Sequence, residues 1–301
     1  MDRLICLKVD VDTFHGMRRG VPALKDLFER YSLRGSFFVP MGKDHTGRTV
    51  KRVFTRPGFI KKASRTSALQ AYGLRTLLYG LILPGPEIAL GNRELLRALA
   101  RSGHEVGIHG LDHVYWHDHI KDLDQPRTAE ILDRAAGTFR EVVGEPASSF
   151  AAPGWMINTH GLAWLQTHGF VYSSDTRGES PFFPRMTGRV FSIPQIPSTL
   201  PTLDEVLGVE GTTADELADF FIGKLADGLN VLTVHAELEG KQWIGLLDRF
   251  IGRTLDAGFR YTRLIDVARR LDSTALPICD ALYGTVAGRA GEVTVQQAPC
   301  T

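Results

Sequence analysis

Apolar runs typical of buried strands alternate with amphipathic helices along most of this 301-residue chain. The first run, residues 4–9, ends at Asp10. An amphipathic helix is predicted over residues 21–31, and a second strand over residues 35–39 stops at Pro40. Strand, helix and strand at this spacing predict parallel strands joined by crossover helices. The chain is therefore predicted to be an α/β protein.

The same alternation continues toward the C-terminus. Strands are predicted at residues 104–109, 149–155, 169–175, 191–197, 231–235 and 259–261, and helices at 93–100, 127–143, 162–168, 215–225, 243–257 and 264–271. Prolines within 191–197 favour an edge or barrel-rim strand there. The last thirty residues have weak patterning, and we expect a peripheral or mobile tail.

Composition and charge narrow the possible functions. With 43% apolar residues, the chain can bury the core of one large α/β domain or two small ones. Its formal net charge of +1 does not indicate attraction of the whole protein to nucleic acid. Three scattered cysteines, Cys6, Cys279 and Cys300, are too few for a disulfide framework and lack metal-site spacing, which favours a reducing compartment.

The sequence predicts neither a signal peptide nor a membrane-spanning segment. The N-terminal apolar run is too short for a signal peptide, and no segment has the roughly 18 apolar residues that a transmembrane helix needs. We therefore expect the protein to remain on the cytoplasmic side of the membrane.

Two aspartates follow the first predicted strand. Asp10 and Asp12 point the same way along an extended chain, because side chains repeat every second residue. Both carboxylates can therefore reach one site at the carboxyl end of the strand. An acidic strand-to-loop turn without a function is the alternative interpretation.

A pair of histidines provides the second candidate group. His109 and His113 are four residues apart, so they lie about one helical turn from each other and can bind one divalent ion. On their own, they could equally be solvated or core histidines. His235 ends another strand-like run, and together with the two aspartates these residues indicate a hydrolytic metal centre.

Residues 43–91 depart from the strand and helix pattern. They contain nine basic and two acidic residues, and an apolar run over residues 77–84 that is too short to span a bilayer. Basic residues beside such a run suit a segment in a membrane interface near anionic headgroups. The alternative is an ordinary insertion whose apolar run packs on the protein.

An ordered set of motifs resembles the polysaccharide deacetylase (NodB-homology) superfamily. The motifs are Asp10-Val11-Asp12, His109 to His113, Ala151 to Trp155, Tyr172 to Gly178 and Leu232 to His235. The resemblance implies a distorted (β/α)7 barrel with a long insertion after the second strand and a site at the carboxyl ends of its strands. The expected domain organisation is a catalytic domain over residues 1–275, followed by a C-terminal tail at residues 276–301.

Within that superfamily the chain resembles the bacterial ArnD deformylase family. The matching segments are residues 9–14, 107–116, 173–178 and 233–240. The resemblance implies removal of a formyl group from 4-deoxy-4-formamido-L-arabinose on undecaprenyl phosphate, which serves lipid A modification and polymyxin resistance. It implies a peripheral enzyme at the cytoplasmic face of the inner membrane. A lipid-linked substrate would explain the insertion at residues 43–91.

The resemblance also implies roles for individual residues. Asp12, His109 and His113 are the expected ligands of a divalent ion, Zn²⁺ first, with Mn²⁺, Co²⁺ or Ni²⁺ as other candidates. We expect Asp10 to act as the general base and His235 to protonate the leaving amine. We expect Asp175 to orient His235, and a backbone N–H near Trp155 or Tyr172 to stabilise the oxyanion together with the metal. Glu237 is expected to recognise the product ammonium, and an exposed glutamate without a role is the alternative.

Two positions depart from the superfamily pattern. Val11 separates aspartates that are commonly adjacent, and Ala151 stands where an arginine usually holds the base. We expect Arg177 to replace that arginine, although a surface loop arginine is the alternative.

Three other functions fit the sequence less well. A deacetylase of another N-acylated glycan or lipid-linked sugar is the second enzyme hypothesis. A carrier-lipid binding protein without catalysis would not need Asp10 and His235. A glycosidase using two carboxylates would leave the three histidines unexplained.

Overall fold

The computed structural model of the protein describes residues 3–51, 75–298 and 300. Its strands are β1 (Arg3–Asp10), β2 (Ser36–Val39), β3 (Glu105–Ile108), β4 (Ser149–Phe150), β5 (Tyr172–Ser173), β6 (Phe183–Met186), β7 (Arg189–Val190), β8 (Gly228–His235), β9 (Arg260–Tyr261), β10 (Ile278–Gly284) and β11 (Val293–Gln297). Its α-helices are α1 (Val21–Arg30), α2 (Arg93–Arg101), α3 (His113–His119), α4 (Gln125–Val143), α5 (Thr159–Thr167), α6 (Leu203–Val206), α7 (Ala214–Gly223), α8 (Ile244–Asp256) and α9 (Leu264–Ala268).

Seven strands form one parallel sheet. Their order is β5-β4-β3-β2-β1-β8, and β9 also pairs with β1. Strand β1 therefore lies between β2 and β8, and the register places Asp10 opposite Phe38 on one side and His235 on the other. This curled, half-barrel sheet with its helices confirms the predicted α/β class and barrel-type architecture.

An irregular segment fills the gap between β5 and β8. The Ser173 N–H donates to the Pro194 carbonyl at 3.0 Å, and the Leu200 N–H donates to the Val231 carbonyl at 3.2 Å. The predicted rim strand at 191–197 thus bonds to β5, and the residues just after it bond to β8. It does not form a regular strand, because its prolines lack the N–H that a ladder needs.

The helices bury apolar stripes against the sheet, and local sequence sets their ends. Helix α1 buries Leu24, Leu27 and Phe28 at three- and four-residue spacing. In α4, Asp124 accepts a hydrogen bond from the backbone N–H of the first turn, and Gly144 ends the helix at φ 99°.

The segment expected to be a weakly patterned tail forms part of a second sheet. Strands β10 and β11 are antiparallel, β10 is parallel to β6, and the sheet order is β11-β10-β6-β7. Residues 278–297 therefore belong to the folded body, and the expectation of a peripheral or mobile tail is wrong for them.

A disulfide joins the same segment to the chain end. Cys279 and Cys300 are bonded, whereas Cys6 is a buried free thiol. The interpretation of all three cysteines as reduced is therefore wrong for this pair.

The insertion at 43–91 is described in part, since residues 52–74 lie outside the described residues. Its described portions contain short turns of 3-10 helix, at Thr46–Lys51, Thr76–Leu78 and Leu90–Asn92, and two isolated β-bridges, Lys43 with Glu87 and Tyr79 with Leu83. Across the ranges that the structure covers, no helix is both long and apolar enough to cross a bilayer.

Candidate active site

Three potential metal ligands meet at the carboxyl end of the parallel sheet. Asp12 lies two residues past β1, His109 follows β3 directly, and His113 is the first residue of α3. Asp12 Oδ1 is 3.5 Å from His109 Nε2 and 3.2 Å from His113 Nε2. One ligand atom from each residue lies within 4.8 Å of the other two, and among the described residues this is the one such group.

The surroundings of Asp12 suit a bound cation. Although burial opposes ionisation, the charge of His113 and the neighbouring His109 hold the pKa of Asp12 well below its usual range. Asp12 Oδ1 is buried and makes no hydrogen bond. His109 Nδ1 lies 2.7 Å from the Ala151 carbonyl, which can only accept, so Nδ1 carries the proton and Nε2 faces Asp12 as the free nitrogen. A carboxylate and two imidazoles are ligands typical of zinc and related ions.

Asp10, the expected base, is paired with a buried lysine that our sequence analysis missed. Lys8 Nζ lies 2.7 Å from Asp10 Oδ2, and the Lys8 side chain is 0% exposed. The same ammonium lies 5.1 Å from the centroid of the Trp155 ring. Asp10 Oδ1 is buried without a hydrogen bond, so one carboxylate oxygen can accept a proton. The sequence did carry a signal, since a lysine two residues before Asp10 on a strand shares its face.

Arg177 does not replace the missing arginine of the motif. Its Nη1 lies 2.7 Å from Glu205 Oε1, and its Nη2 donates to the Leu200 carbonyl at 3.0 Å. Arg177 is buried, so the surface-loop alternative is wrong as well. Lys8 is the cation that pairs with Asp10.

His235, the expected acid, ends β8 directly opposite Asp10. Its backbone N–H donates to Glu239 Oε2 at 2.8 Å. Burial alone would lower the pKa of His235, but the charges of Asp12, Asp204 and Glu239 outweigh it and raise the pKa above its usual value. A raised pKa favours the protonated imidazole that a proton donor requires.

Asp175 bonds to other groups than His235. Asp175 Oδ1 accepts the Ala152 N–H at 2.9 Å, and Oδ2 accepts from Gln195 Nε2 at 3.0 Å. Burial raises the pKa of Asp175 to about 6. The expectation that Asp175 orients His235 is therefore wrong, because both Asp175 oxygens bond elsewhere and His235 Nδ1 makes no hydrogen bond with a described residue.

Glu237 holds the loop that carries Asp12. Its Oε1 accepts the Asp12 N–H at 3.1 Å, the Thr13 N–H at 2.9 Å and the Thr13 hydroxyl at 2.8 Å. Glu237 is 1% exposed, and burial with the charge of Asp12 raises its pKa to about 8. The exposed-glutamate alternative is wrong, and these contacts favour a positioning role over recognition of the sugar amine.

Trp155 and Tyr172 are also bonded to other groups. The Trp155 backbone N–H donates to the Ala152 carbonyl at 3.0 Å, which removes it as the expected oxyanion donor. The Tyr172 hydroxyl donates to Glu105 Oε1 at 2.7 Å, but this bond concerns the side chain, so an oxyanion donor among the backbone N–H groups near Tyr172 stays a prediction. Because Glu105 begins β3 and His109 follows its end, the Tyr172 side chain points toward the opposite end of the sheet.

A family model for polysaccharide deacetylases matches residues 3–173. This stretch contains Asp10, Asp12, His109 and His113, and it covers the strands from β1 to β5.

Two curated relatives match nearly the whole chain. A protein of Shewanella sediminis (strain HAW-EB3) is 34% identical over 292 residues, which cover 96% of this chain and 93% of the relative. A protein of Wigglesworthia glossinidia brevipalpis is 31% identical over 286 residues, which cover 94% of this chain and 98% of the relative. Both carry the name "Probable 4-deoxy-4-formamido-L-arabinose-phosphoundecaprenol deformylase ArnD".

The fold is also similar to a crystal structure from Mycobacterium smegmatis, described as a candidate polysaccharide deacetylase. The two share 20% identity and a TM-score of 0.64, with 94% of each chain covered. At this identity the likeness supports the fold alone.

Proposed function

The chain belongs to the polysaccharide deacetylase family, and we propose that it removes the formyl group from 4-deoxy-4-formamido-L-arabinose linked to undecaprenyl phosphate. Such an amide hydrolase would expose the amine of the aminoarabinose that modifies lipid A and confers polymyxin resistance. The observation that carries the proposal is the group Asp12, His109 and His113 beside a Lys8-paired Asp10, in a chain alignable with two ArnD relatives along nearly its full length.

Asp12, His109 and His113 would hold the metal of this reaction. The buried Asp12 oxygen without a hydrogen bond and the free Nε2 of His109 fit a divalent cation. When bound, the ion supplies Lewis-acid chemistry, since it polarises a carbonyl and lowers the pKa of a coordinated water. Zn²⁺ suits one carboxylate and two imidazoles, and Mn²⁺, Co²⁺ and Ni²⁺ accept the same donors.

The remaining side chains would move the protons. Asp10 accepts a proton from the attacking water, and Lys8 holds that carboxylate in place. The water oxygen bonds to the formyl carbon while the carbon–nitrogen bond breaks. His235 donates its proton to the departing sugar nitrogen, so the products are formate and an amine. Glu239 fixes the backbone of His235, and Glu237 fixes that of Asp12.

The insertion would bring the site to its lipid-linked substrate at the inner-membrane surface. Leu81 is 45% exposed and Ile82 is 78% exposed, and the exposed Arg75 lies close by in sequence. Arg48 Nε donates to the Gly80 carbonyl at 3.3 Å, which ties this apolar turn to the segment that follows β2. Exposed apolar groups beside basic ones suit an interface with anionic headgroups at the cytoplasmic face.

One assay tests the activity. Purified protein is given formamido-arabinose or acetamido-arabinose on a polyprenyl phosphate, with and without a chelator, and released formate or acetate is measured. We expect formate release that the chelator abolishes and added Zn²⁺ restores. Preferential acetate release would favour the second candidate, a deacetylase of another acylated sugar, which the family description supports. Release of neither acid would overturn both.

A further inference from the structure

The insertion contacts both segments that carry the candidate metal ligands. Its first part, residues 43–49, is here termed the insertion stem. Asp44 is buried, and its Oδ2 accepts the Phe14 N–H at 2.9 Å, two residues beyond Asp12. The other oxygen, Oδ1, accepts the Thr46 N–H at 3.0 Å and the Thr46 hydroxyl at 2.7 Å. Asp44 therefore joins the stem to the loop of one candidate ligand.

The next residue of the stem reaches the second ligand segment. His45 Nδ1 lies 2.6 Å from Asp112 Oδ2, and Arg48 Nη1 lies 3.6 Å from the same oxygen. Asp112 Oδ1 accepts the Tyr115 N–H at 3.0 Å and so caps α3, whose first residue is His113. His45 thereby fixes the carboxylate that sets the start of this helix.

Backbone bonds hold the stem beside these contacts. The Met41 N–H donates to the Gly110 carbonyl at 2.9 Å, and the Gly42 N–H donates to the Leu111 carbonyl at 2.8 Å. The segment before the stem is thus tied to the chain between His109 and His113. Two consecutive side chains of the stem, Asp44 and His45, then hold the two ligand segments at a fixed separation.

We propose that Asp44 and His45 are positioning residues that set the affinity of the site for its metal ion. The inference rests on the proposed function only in that a divalent ion occupies Asp12, His109 and His113. Groups that orient metal ligands typically change metal affinity by about 10- to 100-fold when removed. Because coupling is reciprocal, metal binding should in turn order the stem and the apolar turn bonded to it.

The affinity test compares three substitutions in the full chain. Zn²⁺ binding to the metal-free protein is measured by competition with a chromogenic chelator, without any sugar. Asp44→Asn places an amide N–H₂ against the Phe14 or Thr46 N–H, and His45→Ala removes the partner of Asp112. Lys43→Ala is the matched control, since Lys43 forms only a half-exposed pair with Glu87 at 3.8 Å. We expect the Kd for Zn²⁺ to rise about tenfold in the first two variants and to stay within twofold in the control.

A conservative variant and a second measurement separate positioning from loss of folding. His45→Asn keeps a donor for Asp112 and should bind Zn²⁺ more tightly than His45→Ala. In the wild type, Zn²⁺ should slow hydrogen exchange over residues 76–83, and His45→Ala should remove that effect. The inference is overturned if the Asp44 and His45 variants have the same Kd for Zn²⁺ as Lys43→Ala. It is also overturned if Zn²⁺ leaves the hydrogen-exchange rates of residues 76–83 in the wild type unchanged. A wild-type chain that binds no Zn²⁺, Mn²⁺, Co²⁺ or Ni²⁺ would instead count against the metal dependence in the proposed function.

Discussion

Lys8 Nζ lies 2.7 Å from Asp10 Oδ2, and both side chains leave the same face of β1. The pair is buried, so its charges are screened little by water. A lysine on the strand itself thus places a cation beside Asp10, the proposed base, in a chain whose third motif begins with Ala151.

Replacing Lys8 by Met should reduce both turnover and stability. The change leaves the Asp10 carboxylate buried without a partner, which typically costs about 3–5 kcal/mol. The free energy of unfolding should therefore fall together with kcat. The measurements are urea unfolding and kcat with the formamido sugar at one pH. Lys8→Arg keeps the charge and should recover part of both quantities, whereas wild-type stability and kcat in Lys8→Met would contradict the pairing.

Replacing Asp10 by Asn should reduce kcat by about 100-fold or more while metal binding persists. A positioned base contributes roughly 10²–10⁴ to rate, and Asp10 lies outside the three-ligand group. Elemental analysis and steady-state kinetics on one preparation check both parts. Near-wild-type turnover would assign the base to another residue, and loss of the metal would place Asp10 among the ligands.

Replacing Leu81 and Ile82 together by Ser should weaken binding to anionic vesicles. These exposed side chains can bury apolar surface in the headgroup region, worth about 25 cal/mol per Å². Co-sedimentation with phosphatidylglycerol-containing liposomes measures the loss. Val209→Ser is the matched control, since Val209 is 61% exposed but lies outside the insertion. Equal co-sedimentation of the wild type, the double variant and Val209→Ser would contradict the proposed binding of the insertion to the membrane surface.

His104 should make the protein less stable as the pH falls from about 6.5 toward 4. Its ring is buried and packs 5.2 Å from Phe37, and burial lowers the pKa of His104 to about 4. An unfolded histidine titrates near about 6.5, so between these values only the unfolded chain takes up the proton. The contribution of neutral His104 to the free energy of unfolding is therefore complete above about pH 6.5. It is lost as the pH falls, by up to about 3 kcal/mol.

Urea unfolding at pH 7.5, 6 and 5 measures this loss. His104→Asn keeps an acceptor for the Gly35 N–H, which His104 Nδ1 binds at 3.1 Å. The variant should show a flatter dependence of stability on pH than the wild type. Equal slopes for the two proteins would assign the pH effect to other groups.

The parallel sheet was predictable because its strands and helices carry their own patterns. Apart from Lys8, the run before Asp10 is continuously apolar, as a strand buried on both faces requires, and the helix after residue 20 shows the helical period. The second sheet was not predictable as a whole, since β7 has two residues and β6, one of the two partners of β10, lies nearly a hundred positions earlier. Short strands of this kind depend on tertiary pairing more than on local propensity.

The group of Asp12, His109 and His113 was predictable because strand ends and residue spacing place these side chains together. The contacts of Asp175 and Glu237 were not, because each depends on a partner distant in sequence. Glu237 bonds to Asp12 across 225 residues, and no local pattern records such a contact. The Lys8–Asp10 pair was not predicted, although the two-residue period of the strand places both side chains on one face and would have indicated it.

The placement of β1 between β2 and β8 has a consequence for biosynthesis. Strand β2 pairs early with residues 8–10 of β1, but residues 4–5 wait for β9. The other edge of β1 waits for residues 228–235, roughly 225 positions further along the nascent chain. At ribosomal speeds that delay lasts roughly 10 to 45 s. During it the open edge can template pairing with a neighbouring polypeptide, so the order of strands sets a period in which the nascent chain is exposed to aggregation.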